Sequence, residues 1–159
     1  ISPGNAGGAL IDMRGELVGV NTAIFSRSGG SNGIGFAIPS NMVATFVRAA
    51  KNGGRFERPF VGADFAPVTA DIAEALGLRT PGGALVRSVY PEGPAARAGL
   101  KVGDVVMKAD GREIATPDAL DYRLATLGIG KTVKLDVLSS EETEALQLPL
   151  EQAPEVPAR

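Results

Sequence analysis

Hydrophobic and polar positions change period several times along this chain. Residues 8–12 alternate loosely and predict a short strand, ended by the turn signal Arg14-Gly15. Glu16 to Ile24 predicts a second strand, because β-branched Val18, Val20, Thr22 and Ile24 dominate it. Ser26 to Asn32 is polar and glycine-rich and predicts a loop. Gly33 to Ile38 predicts a third strand. Pro39-Ser40 then opens a helix, with Ser40 as N-cap and Val43, Phe46, Val47 and Ala50 on one face. Asn52-Gly53-Gly54 ends it.

A second unit begins after the polar junction Arg55 to Arg58. Pro59 to Phe65 reads as a loop entering a strand, and residues 69–77 as a short helix capped by Thr69. Gly83 to Val89 predicts a strand. Pro94 suits the first turn of a short helix and Gly99 its left-handed exit. Val105 to Lys108 is a strand, turned at Asp110-Gly111 into Arg112 to Ile114. Thr116-Pro117-Asp118 opens a further helix, whose Leu120, Leu124 and Leu127 form an apolar stripe. Val133 to Leu138 and Ala145 to Leu150 close the unit as strands. The tail from Glu151 is polar and proline-rich and reads as a linker.

Composition narrows the chemistry. The 159 residues hold one or two small domains, and 44% hydrophobic residues suffice for a core. Twenty-one glycines and only 5% aromatics fit short strands and turns. A net charge of −2 gives no support to nucleic-acid binding. No apolar run approaches the ~18 residues of a membrane-spanning helix. The chain opens on Ile1 rather than Met, which suggests a piece of something longer. Cysteine and histidine are both absent, so no zinc site of the usual kinds and no Ser-His-Asp relay can be assembled from these residues. No motif calls for a metal or a cofactor. Gly130-Lys131-Thr132 resembles the end of a phosphate loop, but Ala125 stands where that motif needs glycine. The acids Glu141, Glu142 and Glu144 read as a solvated hairpin tip.

The chemistry-bearing stretch is Gly4-Asn5-Ala6-Gly7-Gly8. Glycine-rich turns of this kind can aim consecutive N–H groups at one point, as an oxyanion hole requires; taken alone, five such residues are equally a flexible turn. The pattern resembles the Gly-Asn-Ser-Gly-Gly nucleophile turn of trypsin-fold serine proteases, with Ala6 in place of the serine. Together with Arg14 to Thr22 and Gly33 to Ser40, it resembles the end of the protease domain of the HtrA (Do-like) serine proteases, which are ATP-independent quality-control endopeptidases. The resemblance implies that Ala6 occupies the nucleophile position. It further implies that Gly4, Asn5 and Ala6 form the oxyanion hole, and that Asn21, Thr22, Ala23 and Ile24, with Ile34, flank the substrate pocket. Ile24 and Ile34 are equally readable as core. Ile1 falls near the pocket floor on the same reading. The family's catalytic histidine and aspartate have no counterpart here.

The order around Pro94-Ala95-Ala96-Arg97-Ala98-Gly99-Leu100-Lys101-Val102-Gly103-Asp104-Val105-Val106 resembles a PDZ domain in the circularly permuted arrangement that follows bacterial HtrA protease domains. PDZ domains add a partner's C-terminus as a strand on a sheet edge. The resemblance implies a carboxylate loop at Phe60, Val61, Gly62 and Ala63. The Asp118–Leu127 helix becomes the other groove wall, with Leu124 either in the groove pocket or in the core. Arg58 is readable either as charge near the carboxylate or as a solvated junction residue.

The expected fold class is mainly β with short helices: a partial trypsin-like β-barrel (1–54), a permuted PDZ domain (55–152) and a linker (153–159). The expected function is that of a fragment of a periplasmic serine endopeptidase, inactive as this chain. Its expected partners are unfolded proteins and C-terminal peptides, with the missing protease half or a second copy completing the barrel. A homo-oligomer is expected of the full-length protein. A non-enzymatic pseudoprotease or chaperone-like peptide scaffold is the alternative, because Ala6 is readable as an engineered or a natural replacement.

Overall fold

The computed structural model describes residues 3–26, 33–140 and 142–155. Expectations for Ile1, for the loop across 27–32, for Glu141 and for the tail beyond Glu155 lie outside the described residues. The chain divides into two compact units, Ile1–Phe56 and Glu57–Arg159.

The first unit has a 3₁₀ turn (Pro3–Asn5), β1 (Ala9–Ile11), β2 (Leu17–Phe25), β3 (Ile34–Pro39) and α1 (Ser40–Lys51). The strands form one antiparallel sheet in the order β1-β2-β3, with Val20 opposite both Ala9 and Ile38. Asp12 builds the β1–β2 turn: its Oδ1 accepts the N–H groups of Arg14 (2.8 Å) and Glu16 (3.0 Å). The Glu16 N–H first, then that of Arg14, holds its carboxyl below the usual carboxylate range. One local expectation is corrected: Pro39, not Ser40, takes the N-cap position of α1, and no side chain caps it. Ser40 already lies within the first helical turn, so its hydroxyl is one position too late to cap. Phe46 on the helix packs against Phe56, with ring centroids 4.2 Å apart.

The apolar faces of this unit are barely covered. Among its described residues only Gly19 and Asn21 are buried. Val18, Ile34, Phe36 and Ile38 are 48%, 62%, 51% and 37% exposed. Among the described residues these three strands leave an apolar face open.

The second unit runs β4 (Ala63–Pro67), α2 (Ala70–Ala75), β5 (Ala84–Val89), α3 (Pro94–Ala98), β6 (Val105–Ala109), β7 (Arg112–Glu113), α4 (Pro117–Leu127), β8 (Thr132–Ser139) and β9 (Glu142–Pro149). The sheet order is β4-β5-β6-β8-β9, with β7 paired to β6 and every pairing antiparallel. Thr69 and Thr116 cap α2 and α4 by accepting the N–H groups of Ile72 and Ala119. The β6–β7 hairpin turns at Asp110 (φ 48°) and Gly111 (φ 75°), the paired positive angles that a two-residue turn of matching twist requires. Val86, Val106, Leu120, Val133, Leu135, Val137 and Leu148 fill one buried core, each at most 1% exposed. That core makes this unit self-sufficient and fixes the frame from which its loops project.

Candidate functional site

Two sites emerge, one in each unit. In the first, the segment Gly4 to Gly8 is held against β2 by backbone pairing. Gly7 (φ 81°) donates its N–H to the Asn21 carbonyl at 2.7 Å, and Asn21 donates to the Gly8 carbonyl at 2.9 Å. Gly8 also donates to the Asn5 carbonyl. A Cβ on Gly8 would stand 3.0 Å from that oxygen, which explains why glycine occupies the position. Ala6 therefore sits exposed on a turn anchored just C-terminal to it.

Asn21 is the buried partner of this turn, and its side-chain Oδ1 has no hydrogen-bond partner among the described residues. Thr22 is exposed and donates its hydroxyl to the Phe36 carbonyl at 3.2 Å, tying β2 to β3. Ala23 is exposed, Ile24 half-buried and Ile34 exposed at the far end of the same strand pair. The structure thus brings Asn21 to the Gly4–Gly8 turn and strings Thr22 to Ile24 along the strand leading away from it. Ile34 is not in the core of this unit.

In the second unit, Phe60 to Ala63 enters β4, the terminal strand of the sheet. Its carbonyls are drawn inward: Val61 accepts from Ala95 (2.9 Å) and Gly62 from Tyr90 (2.7 Å). Phe60 donates its N–H to the Glu151 carbonyl at 2.8 Å. Among the described residues, the N–H groups of Val61 and Gly62 donate to no backbone carbonyl. Two N–H groups without a backbone acceptor thus sit at a bend where Gly62 takes positive φ. Gly62 is buried at φ 72°, and a Cβ there would lie 3.3 Å from both Gly93 Cα and Pro94 Cδ.

The helix expected as the other wall, α4, contacts β4. Leu124, assigned from sequence to either pocket or core, is 2% exposed and packs with Leu120 in the core. Asp121 on the same helix is partly desolvated, which pushes its carboxyl above the ordinary value; Arg58 opposes that shift and Asp118 adds to it. Arg58 therefore lies within electrostatic reach of α4 while leading into the loop. On the loop's other flank are two adjoining surface cavities of about 460 and 510 Å³, both lined by Phe60, Tyr90 and Pro91. Phe60 and Tyr90 meet there edge to face, with centroids 6.1 Å apart. Sequence reasoning missed Glu151 and Arg97, which the structure joins in an ion pair beside this loop. Glu151 reads from sequence as the start of the linker, and nothing local marks its pairing across the unit. No group of three or more metal-binding side chains is gathered among the described residues, and no described helix is long and apolar enough to cross a membrane.

The second unit thus pairs a terminal sheet strand with a glycine bend at its head. The first unit holds a Gly-x-x-Gly-Gly turn pinned to a β-strand. The chain belongs to the PDZ domain family, whose model matches residues 59–150, while the Trypsin family model matches residues 1–47. The combination is that of the HtrA-type serine proteases. Two relatives named "Probable periplasmic serine endoprotease DegP-like" illustrate the match. The one from Pseudomonas putida (strain W619) is 39% identical over 98% of this chain and 32% of its own length. The one from Brucella suis biovar 1 (strain 1330) is 40% identical over 97% of this chain and 30% of its own. Among solved structures, "HtrA-type protease AlgW with tripeptide" superposes with a TM-score of 0.67 at 38% identity, covering 98% of this chain and 52% of that one. "HtrA-type protease AlgW with decapeptide" gives a TM-score of 0.64 at 38% identity, over 98% and 48%. The chain spans about a third of the length of the curated relatives it matches.

Proposed function

We propose that this chain is the C-terminal part of the protease domain and the first PDZ domain of a periplasmic HtrA-like serine endopeptidase that cleaves misfolded proteins. The second unit captures a partner's C-terminus. The peptide adds as a strand on the open edge of β4, its carboxylate rests on the N–H groups of Val61 and Gly62, and Arg58 contributes positive charge nearby. The order of strands after this loop is the circularly permuted one. The observation that carries this reading is the pair of free N–H donors at the head of an unpaired edge strand. Isothermal titration of the 159-residue chain with an apolar-ended peptide, as free acid and as C-terminal amide, tests it. The acid binds at least about tenfold tighter, because charge-assisted bonds to the loop are lost in the amide; equal affinities overturn it.

In the first unit, Ala6 marks the place of the serine that attacks the scissile carbonyl. Gly4 and Ala6 donate to the developing oxyanion with Asn5 between them, and Asn21 to Ile24, with Ile34, flank the substrate. Acyl transfer also needs a base to take the serine proton, and this chain has no histidine. The chain alone is therefore inactive, and Ala6→Ser alone does not restore activity. Casein cleavage by purified Ala6→Ser chain, above contaminant controls, would refute this. The base and its orienting acid come from protease-domain sequence outside this chain, and the complete protein works as a homo-oligomer.

A further inference from the structure

We propose that the Arg97–Glu151 ion pair is the positioning device of the peptide carboxylate loop, an inference that rests on the carboxylate-binding reading above. Four observations converge on it. The Glu151 carbonyl receives the Phe60 N–H, which fixes where the chain enters the loop. The Glu151 carboxylate receives the guanidinium of Arg97, so the backbone that holds Phe60 is itself held by α3. The same guanidinium donates to the Glu92 carbonyl, in a turn where Glu92 adopts φ 62°. That turn belongs to the segment 90–95, whose Tyr90 and Ala95 N–H groups bind the carbonyls of Gly62 and Val61.

One arginine thus closes a ring: loop, β9 exit, α3 and the 90–95 turn. Both inward carbonyls of the loop and its entry N–H are fixed by members of that ring. A trans peptide sets each carbonyl antiparallel to the next residue's N–H, so fixing the Val61 carbonyl inward turns the Gly62 N–H the other way, toward the ligand, while the Phe60–Glu151 bond fixes the chain that carries the Val61 N–H. Arg97 and Glu151 do not touch the peptide in this arrangement. They set the orientation of the donors that do, and Gln152, which donates to Glu57 at 2.9 Å, adds a second tie at the same exit.

The test compares the 159-residue chain with Glu151→Gln, Arg97→Ala and the conservative Arg97→Lys. Each is titrated with an apolar-ended peptide as acid and as amide, and the Val61 and Gly62 amides are followed by ¹H–¹⁵N spectra without peptide. Both pair members are about half exposed, so the expected loss of acid affinity is modest, about three- to fivefold. Amide affinity stays within error, so the acid-to-amide ratio falls; Arg97→Lys recovers part of it. The Val61 and Gly62 resonances shift in Glu151→Gln while those of core Val133 and Leu148 do not. An unchanged ratio in Glu151→Gln and Arg97→Ala, with the wild type discriminating normally, overturns the positioning role and leaves the carboxylate reading intact. A parallel drop for acid and amide also overturns it, since that is a generic loss of structure. A wild type that does not discriminate overturns the carboxylate reading and this inference with it.

Discussion

Gly62→Ala is the substitution on which the loop argument bears most directly. The wild-type residue adopts φ 72° and is buried, with an added Cβ 3.3 Å from Gly93 Cα, 3.3 Å from Pro94 Cδ and 3.4 Å from Phe60 Cε1. Two penalties therefore add. Holding a residue with a Cβ in the left-handed region costs about 1–2 kcal/mol, and forcing atoms apart in a packed site costs about 1–3 kcal/mol more. Gly111 supplies the control. Its φ is 75°, yet nothing lies within 4 Å of an added Cβ, so Gly111→Ala carries only the first penalty. Both tyrosines, Tyr90 and Tyr122, belong to the second unit and the chain has no tryptophan, so tyrosine fluorescence during urea unfolding reports that unit alone. We expect Gly111→Ala to lower stability by about 1–2 kcal/mol and Gly62→Ala by about 2–5 kcal/mol. The latter should also weaken an apolar-ended free-acid peptide by about tenfold, because strain is relieved by turning the loop N–H groups away. Equal destabilisation by the two substitutions, with peptide affinity unchanged in Gly62→Ala, would show that the loop neither packs nor binds as argued.

Asp121 gives a pH signature. Desolvation raises its carboxyl pKa above the ordinary 3.8 despite Arg58, so the folded state resists its ionisation and loses stability as pH rises through the folded value. Asp121→Asn should therefore raise the unfolding temperature at pH 7 and leave it unchanged at pH 3; a loss at pH 7 would mean that the Arg58 attraction outweighs desolvation. In the first unit, Ile34→Ser with Phe36→Ser replaces two exposed side chains on the open sheet. We expect light scattering to show self-association of the 159-residue chain and its reduction in the double variant. A monomeric wild type would refute the need for an outside partner.

Much of the second unit was legible because its signals are local. Thr69 and Thr116 cap because each precedes a helix at hydrogen-bonding distance in sequence, and Asp110-Gly111 turns because few other pairs tolerate two positive φ angles. Gly62 reads from sequence as a loop residue, yet its need for glycine comes from Gly93 and Pro94, 31 and 32 positions on, and no local pattern shows that. The Leu120, Leu124 and Leu127 stripe announced an amphipathic helix but not which neighbour it would face; the surrounding sheet decided for the core. Arg97 and Glu151 were illegible for the same reason, since an ion pair between residues 54 positions apart has no periodicity. Ser40 failed differently: the residue type suited a cap, but the backbone enters the helix one residue earlier.

The two units also differ in what their sequences complete. In the second, alternation along β8 puts Val133, Leu135 and Val137 into a core that α4 and β9 close, so pattern and burial agree. In the first, Val18 and Val20 alternate just as regularly, yet Val18 is 48% exposed and Val20 only half-buried. A strand pattern records the burial that a face was selected for, whether or not the covering element is present. The open face of β2 and β3 therefore supports the proposal that an element outside the described residues covers it. The buried Oδ1 of Asn21 has no donor among the described residues, and a carbonyl oxygen left so costs about 1–3 kcal/mol. Because Asn21 also clamps the Gly4–Gly8 turn through its backbone, the geometry at Ala6 depends on β2.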